Sequence, residues 1–321
     1  MRRSRRTFLK YSGAAASAGL AGITWWASTS QRRAARWLRR LAQDAQRPVE
    51  PATVRPDPSR FSERDITVCW LGHASVLINF YGLTILTDPA LVSRVGISFG
   101  LGTAGPKRYV APALTAEELP RIDVLLISHA HMDHLDLPTL RRLKEPEMTV
   151  TAKLTSDLLA SAGKQRIREL GWGDRTRVET AQGSLEIEAF EVKHWGQRWP
   201  GELERGYNGY VLRREGKALI FGGDTARCDH FRGLRSRGPF EAAIMPIGAY
   251  RPWIRNHCTP EEALQMANDA GARYILPVHH KTFVLSDEPL EEPIQRLTVA
   301  LEREPQRLGI ARPGESFVCP A

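Results

Sequence analysis

Cysteine is scarce in this chain of 321 residues, and its four cysteines are far apart. Zinc ribbons and redox couples use cysteine pairs that are separated by only a few residues. The spacing therefore argues against both kinds of site. It does not determine the redox compartment, because Cys69, Cys228, Cys258 and Cys319 form no paired pattern.

Net charge is also absent from most of the chain, although the whole sequence carries +9. Residues 1–50 hold eleven Lys and Arg against two acidic residues, so the remaining 271 residues hold 34 charges of each sign. Residues 51–321, which have no net charge, lack the broad positive electrostatic potential that binds a phosphate backbone. We therefore expect no nucleic-acid partner.

The amino terminus lacks an apolar run long enough for a membrane anchor. Residues 11–27 are rich in Ala, Gly and Ser, whereas a spanning helix needs roughly 20 apolar residues. The preceding Ser-Arg-Arg-Thr-Phe-Leu-Lys at residues 4–10 is similar to a twin-arginine export signal. We predict that residues 1–31 are this signal and that the protein is periplasmic. Its cleavage stays open, because Trp25-Trp26-Ala27 is a poor cleavage site.

Residues 32–60 form a second predicted segment. Trp37, Leu38 and Leu41 recur at helical spacing among arginines, which is typical of a basic amphipathic helix. Such a helix would give peripheral membrane contact, or it would pack on the folded domain with its charges solvated, and the pattern does not decide between them. Four prolines between residues 48 and 58 predict an extended linker. Residues 61–321 are then the folded domain.

Strand patterns dominate the start of that domain. Residues 75–80 and 84–87, separated by Tyr81-Gly82, predict an antiparallel hairpin. Helices are predicted at residues 137–143 and 259–270, the latter with a capping box. Further strands are predicted at residues 66–70, 124–127, 184–192, 207–213, 218–222, 242–246 and 274–278. Strands followed by alternating strands and helices, without a repeat, indicate a layered α/β fold.

The densest group of potential metal donors in the sequence is His129-Ala130-His131-Met132-Asp133-His134. Three imidazoles and a carboxylate within six residues are typical of a metal site. The cluster follows an apolar strand pattern, so its side chains can turn toward one point. A surface loop that happens to hold histidines is the other interpretation, and the close spacing argues against it.

Three more donors follow apolar strands in the same way: His194, Asp224 and His279. Side chains at the ends of neighbouring strands meet at one edge of a sheet. A two-metal site needs about six or seven protein donors, and these residues complete such a number.

With these residues the chain resembles the metallo-β-lactamase superfamily, and more closely the branch of N-acylphosphatidylethanolamine phospholipase D and the ascorbate-6-phosphate lactonase-like hydrolases. The resemblance extends beyond the histidine cluster to blocks in the same order. These are residues 70–74 (Trp-Leu-Gly-His-Ala), 86–89 (Leu-Thr-Asp-Pro), 105–109 (Gly-Pro-Lys-Arg-Tyr), 223–225 (Gly-Asp-Thr), 245–250 (Met-Pro-Ile-Gly-Ala-Tyr), 259–263 (Thr-Pro-Glu-Glu-Ala) and 277–279 (Pro-Val-His). The implied fold is a four-layer α/β/β/α sandwich with metals at one edge of its two sheets.

The resemblance also implies a ligand set. His129, His131 and His194 would hold one metal, Asp133, His134 and His279 the other, and Asp224 would bridge them. Nitrogen and oxygen donors suit Zn²⁺, and Mn²⁺ or Fe²⁺ stay open. Two ions would lower the pKa of a shared water, and Asp133 would orient the resulting hydroxide and carry a proton.

Other residues have expected supporting roles. His257 matches the family position that reaches the phosphate or leaving group, or else it only fixes its loop. The carboxylate of Asp88 is expected to orient a ligand imidazole, and His73 either does the same or is structural. Five aromatic residues are candidates for an acyl-chain groove: Trp195, Trp199, Tyr250, Trp253 and Phe283.

The implied activity is hydrolysis of a phosphodiester in a phospholipid-like substrate by metal-bound hydroxide. The chain departs from the phospholipase pattern at Met132, at residues 207–210 (Tyr-Asn-Gly-Tyr) and at His280-Lys281. A lactonase or phosphatase acting on a small soluble metabolite therefore stays open. So does a non-catalytic envelope protein that keeps its metals for stability. The sequence indicates no oligomeric state.

Overall fold

The computed structural model describes residues 46–99, 102–199 and 201–320. The predicted export signal and most of the predicted basic helix lie outside these residues and stay predictions. In the described part of the chain, no helix combines the length and apolar character needed to cross a membrane.

Fifteen strands and five α-helices are found in the described residues. The strands are β1 (Ile66–Gly72), β2 (Ser75–Phe80), β3 (Leu83–Thr87), β4 (Ile97–Phe99), β5 (Gly102–Ala104), β6 (Val124–Ile127), β7 (Met148–Ala152), β8 (Ile167–Leu170), β9 (Arg175–Thr180), β10 (Gly183–Phe190), β11 (Gly209–Arg214), β12 (Lys217–Phe221), β13 (Phe240–Pro246), β14 (Ala272–Val278) and β15 (Ser316–Val318). The helices are α1 (Leu137–Arg142), α2 (Ser156–Ser161), α3 (His230–Leu234), α4 (Pro260–Ala270) and α5 (Glu292–Ala300).

Two large sheets contain all of these strands except the β4–β5 hairpin. One has the order β15-β1-β2-β3-β6-β7-β8, and the other has the order β14-β13-β12-β11-β10-β9. The hairpin predicted at Tyr81-Gly82 is confirmed by the antiparallel pairing of β2 with β3. Strands β3, β6, β7 and β8 run parallel, as do β12, β13 and β14.

Most of the buried apolar side chains form three large cores that correspond to three interfaces between layers, and a small fourth cluster surrounds Phe283. The central core joins the sheets, with Val68 and Ile78 on one side and Ile187 and Leu276 on the other. The second sheet packs its outer face on α3, α4 and α5, and the first packs its outer face on α1 and α2. Each large apolar side chain buried in this way contributes about 1.5–3 kcal/mol. Two sheets packed on each other, each with helices on its outer face, confirm the predicted four-layer α/β/β/α sandwich.

Helix α4 begins with the predicted capping box. The Thr259 hydroxyl accepts from the Glu262 backbone N–H, and the Glu262 carboxylate accepts from the Thr259 N–H. The helix ends at Gly271, whose φ of 79° is the left-handed conformation that glycine adopts readily. Both ends of this helix are thus determined locally by the sequence.

Several elements were not predicted. Strand β9 alternates exposed and buried residues, but its exposed positions are charged, so its apolar signal is weak. In strand β7, Thr149, Thr151 and Ala152 are buried. These residue types give little hydrophobic signal in the sequence, and the parallel neighbouring strands bury them. Pairing with neighbouring strands, β10 for β9 and β6 and β8 for β7, decides both cases, and this pairing depends on the tertiary structure.

Candidate metal centre

The site lies where several strands end at a common edge. Asp88 follows β3, the histidine cluster follows β6, Asp224 follows β12, and His279 follows β14. Parallel strands place their carboxyl ends together, so the topology brings these side chains to one place. The prediction that they converge is confirmed.

Unusual backbone conformations turn the side chains inward at these strand ends. Asp88, His73 and His279 have φ values of 36°, 56° and 62°. Residues other than glycine seldom adopt positive φ, and such strain concentrates at functional sites. Gly223 has φ +57°, and a Cβ there would lie 2.7 Å from the Asn208 carbonyl. Any larger residue at position 223, directly before Asp224, would therefore push against the Asn208 carbonyl.

Three imidazoles form the first donor group. His131 Nδ1 lies 2.9 Å from His129 Nε2 and 3.2 Å from His194 Nε2. His194 Nδ1–H donates to the Asn256 carbonyl over 2.9 Å, which leaves its Nε2 lone pair directed at the other two rings. Lone pairs facing one another are unfavourable unless a proton or a cation lies between them. This arrangement is typical of a metal site.

Burial keeps these three histidines neutral. It lowers the pKa of His131 to about 4 and places the pKa of His129 and His194 well below the ordinary value. Metal ligands must be deprotonated, so the environment prepares these nitrogens for binding at neutral pH.

The second donor group contains Asp133, His134 and His279, with His73 beside them. The Asp133 carboxylate lies 3.6 Å from Nε2 of His134 and 3.6 Å from Nε2 of His279. His73 Nε2 lies 2.9 Å from the same Oδ2 atom. His73 therefore contacts the proposed proton carrier directly, which the sequence did not determine.

Asp224 lies between the two groups. Its Oδ2 is 3.1 Å from Nε2 of His134, 3.1 Å from Nε2 of His279 and 3.8 Å from Nε2 of His194. Burial would raise the pKa of this carboxyl, but the His134 and His279 rings hold it well below its usual range. An ionised carboxylate in contact with both groups is suited to bridge two cations.

Buried polar atoms without hydrogen-bond partners mark the same place. Among the described residues they include Nε2 of His134, Nε2 of His279 and Oδ1 of Asp224. An unpaired buried polar atom is costly, and such atoms usually contact water, an ion or a ligand. These nitrogen and oxygen donors therefore fit divalent metal ions.

The predicted role of Asp88 in orienting an imidazole agrees with its contacts. Its Oδ2 accepts from His134 Nδ1–H over 2.7 Å, and its Oδ1 accepts from the Ser128 backbone N–H, also over 2.7 Å. A carboxylate partner at one ring nitrogen fixes the tautomer that presents the other nitrogen to a metal. Asp88 thus directs Nε2 of His134 toward Asp224.

His257 lies beside the donor groups. Its Nδ1 is 3.9 Å from Asp224 Oδ2 and has no hydrogen-bond partner among the described residues. Burial lowers its pKa to about 4, so the ring is neutral near pH 7. The structure thus brings His257 to the site, and its catalytic role stays a prediction.

A cavity of about 300 Å³ opens above the donors. His131, Asp133, Asp224 and His257 contribute polar groups to it. Its apolar lining consists of Met132, Trp195, Ala249, Trp253 and Leu285. The combination of ionisable residues and an apolar wall is suited to a substrate with both polar and apolar parts.

Only part of the aromatic set proposed for an acyl-chain groove lines this cavity, and the groove itself stays a prediction. Trp195 and Trp253 line the cavity. Tyr250 is buried and donates to Glu292, and Phe283 is buried against Ala90 and Val95. Their positions behind the site, rather than in the cavity wall, follow from packing that spacing along the chain does not reveal.

Arg198 is a supporting residue that the sequence did not reveal. Its Nη1 donates to the carbonyl of Ala130 over 2.6 Å and to the carbonyl of Leu135 over 2.9 Å. These carbonyls flank the histidine cluster, so one guanidinium group ties both ends of the ligand loop to the loop after β10. A single arginine in a loop carries no sequence signal for such a contact.

We expect Arg198→Met to lower metal affinity about tenfold, because supporting contacts around metal ligands typically contribute that much or more. Competition with a fluorescent chelator measures this affinity. Arg235→Met is the matched control, since Arg235 Nη1 also donates to two carbonyls, those of Asn268 and Asp269, far from the site in sequence. Equal affinity loss in both variants would show that Arg198 does not position the loop.

Comparisons with known proteins agree with this geometry. The family described as beta-lactamase superfamily domain matches residues 84–280. N-acyl-phosphatidylethanolamine-hydrolyzing phospholipase D 1 of Caenorhabditis elegans is 31% identical over 236 residues, which cover 69% of this chain and 65% of that protein. The mitochondrial enzyme of the same name from Saccharomyces cerevisiae is 32% identical over 260 residues, covering 76% of this chain and 55% of the yeast protein. The chain thus spans between half and two thirds of these two relatives.

A solved structure supports the same fold. The isothiocyanate hydrolase from Delia radicum gut bacteria superposes with a TM-score of 0.63 and 17% identity, covering 79% of this chain and all of that one. This identity is low, so the likeness concerns the fold alone. Together with the family match over residues 84–280, it shows that the chain belongs to the β-lactamase superfamily and has the metallo-β-lactamase fold.

Proposed function

We propose that this protein is a two-metal hydrolase that cleaves a phosphodiester in a phospholipid-like substrate. The observation that carries the proposal is the meeting of two donor groups at Asp224, at the base of a cavity with an apolar wall. A structural site usually holds one ion with four ligands, and this chain assembles seven donors. That excess favours an enzyme over a non-catalytic metal protein.

His129, His131 and His194 would hold one ion, Asp133, His134 and His279 the other, and Asp224 would contact both. Zn²⁺ is the first choice for this donor set, with Mn²⁺ or Fe²⁺ as alternatives. Two such ions, when bound, supply Lewis-acid activation of a water and of the phosphoryl group.

Asp133 is suited to move the proton of the attacking water. Burial would raise the pKa of its carboxyl, but His134, His279 and His73 hold it well below its usual range. The carboxylate is therefore ionised at neutral pH and can accept a proton, while the His73 contact fixes its orientation. Its side chain is 17% exposed and lines the cavity, so it can return the proton to the leaving oxygen.

His257 faces the same cavity from the opposite loop. A neutral imidazole with an unpaired Nδ1 can hydrogen-bond to a phosphate or leaving-group oxygen. Its ring lies edge-on to His194 at 5.1 Å between centroids, which limits its rotation. We assign it to substrate positioning beside the scissile bond.

The substrate class follows from the cavity wall and from the relatives. Met132, Trp195, Trp253 and Leu285 offer apolar contact next to the charged base. This fits a phosphodiester attached to a glycerol or acyl group. The two phospholipase relatives support the same class.

The test combines metal analysis with a hydrolysis screen. We expect about two metal ions per chain and, in the metal-loaded protein, hydrolysis of N-acylphosphatidylethanolamine and of bis(4-nitrophenyl) phosphate. Lactones and phosphomonoesters are the comparison substrates. Activity in metal-free protein would contradict the mechanism, and activity confined to lactones would replace the proposed substrate by the lactone alternative.

A further inference from the structure

Large apolar side chains on the surface are concentrated around the candidate metal centre. Eleven are exposed among the described residues, and four of these lie before β1, in the β4–β5 hairpin, in α5 and in β15. The other seven, which we name the apolar collar, are Leu154, Trp172, Trp199, Leu203, Trp253, Ile254 and Val284. Soluble surfaces seldom group so many exposed apolar residues without a binding role.

Topology places every member of the apolar collar at the edge that carries the metal donors. Leu154 follows β7 and Trp172 follows β8, and both strands run parallel to β6, which precedes the histidine cluster. Trp199 and Leu203 follow β10. Trp253 and Ile254 follow β13, and Val284 follows β14, as His279 does.

Hydrogen bonds hold the loops of the apolar collar together. Arg205 donates to the Leu154 carbonyl, and the Gly206 N–H donates to the Lys153 carbonyl over 2.8 Å. The Trp172 indole donates to the Tyr207 carbonyl over 2.7 Å, and the same tyrosine pairs with His129 of the first donor group. The loops that carry Leu154 and Trp172 are therefore tied to the loop that contacts the first donor group.

Tryptophan makes up an unusual share of the collar. The exposed tryptophans of the described residues, Trp172, Trp199 and Trp253, all belong to it. An indole combines a large apolar ring with a polar N–H, which suits the boundary between lipid headgroups and acyl chains. A collar of this composition fits a lipid surface better than it fits bulk water.

The chain also enters the folded domain at this edge. Glu50 N–H donates to the Tyr109 carbonyl over 2.8 Å, and Tyr109 N–H donates to the Thr282 carbonyl in the loop that follows β14. The sequence up to this point, residues 1–50, carries eleven basic and two acidic residues. A basic segment that is joined to the domain at Glu50 favours a negatively charged surface as the partner of the collar.

From these observations we infer that the apolar collar docks on an anionic lipid surface, with the cavity facing the lipid. This deepens the proposed function, on which it rests, because it identifies the surface that presents the substrate. Docking in this orientation would let a lipid reach the metal donors without leaving the headgroup layer completely.

The test uses the full chain and vesicles made of equal parts of phosphatidylcholine and phosphatidylglycerol. The variant Leu154→Ser, Leu203→Ser, Ile254→Ser changes collar residues outside the cavity lining. We expect about tenfold weaker sedimentation with vesicles, since each side chain loses its apolar burial in lipid. The matched control, Val54→Ser, Val299→Ser, Val318→Ser, removes three exposed apolar side chains elsewhere and should bind like the unchanged protein.

Hydrolysis of soluble bis(4-nitrophenyl) phosphate separates this inference from the proposed function. We expect the collar variant to keep this activity, because its changed residues contact no donor. Equal vesicle binding by the collar variant and the control would overturn the inference. A change of oligomeric state in sedimentation velocity, without a change in vesicle binding, would also overturn it and would make the collar an interface between copies. Vesicle sedimentation needs no turnover, so a failed hydrolysis screen would refute the proposed function and leave the docking result readable.

Discussion

Asp224→Asn is expected to lose metal and to lower hydrolysis by more than about 100-fold. Changes to contacts outside the ligand set typically cost 10–100-fold in affinity or activity, and Asp224 contacts both donor groups directly. The substitution keeps the shape of the side chain and removes the negative charge that would bridge two cations. Metal content per chain and the turnover number measure the two effects.

The matched control for this variant is Asp123→Asn. Asp123 is equally buried, accepts from the Thr84 N–H over 2.8 Å and lies at the start of β6, opposite the metal donors. We expect it to lower thermal stability while keeping its metal. Full metal content in Asp224→Asn, or equal metal loss in the two variants, would contradict the bridging role.

The second large effect is expected for Asp133→Asn. Its turnover number should fall by roughly 100- to 10,000-fold, the range for loss of a general acid–base group. The amide cannot accept the proton of the attacking water and is a weaker metal donor than the carboxylate, so metal content per chain is measured in the same samples. It can still occupy the space beside His73. We therefore expect a small change in KM and in thermal stability, measured by initial rates and by thermal unfolding.

Asp136→Asn is a suitable comparison for Asp133→Asn. Asp136 lies three residues further on, is buried, and caps α1 by accepting from the Thr139 N–H over 2.8 Å. Asparagine is also a good helix cap, so turnover should stay close to that of the unchanged protein. If Asp133→Asn unfolded as readily as it lost turnover, Asp133 would be a structural residue.

These two aspartates also show how much of the site could be predicted. Asp133 belongs to a dense local motif, and Asp224 follows a short apolar strand with glycines, so both were identified from the sequence. Their ligand roles stay predictions. Their proximity, however, depends on β6 and β12 belonging to different sheets that meet along one core.

Contacts between distant segments could not be predicted in the same way. Arg198 ties down the histidine loop, and His73 contacts Asp133 across 60 positions of sequence. Neither residue type is unusual where it occurs. The positions of Tyr250 and Phe283 could not be predicted either. Both are aromatic, as groove residues often are, but they are buried outside the cavity wall.

The sequence by itself determined which side chains could donate to a metal, the strand and helix pattern around them and the superfamily, because closely spaced histidines and strand-end donors have few other physical explanations. Only the tertiary structure decided which donors face one another, which aromatic residues reach the cavity, and that the exposed tryptophans lie at one edge. The physical reason is that strand direction and layer packing set these distances. Both arise from pairing between segments that are far apart along the chain.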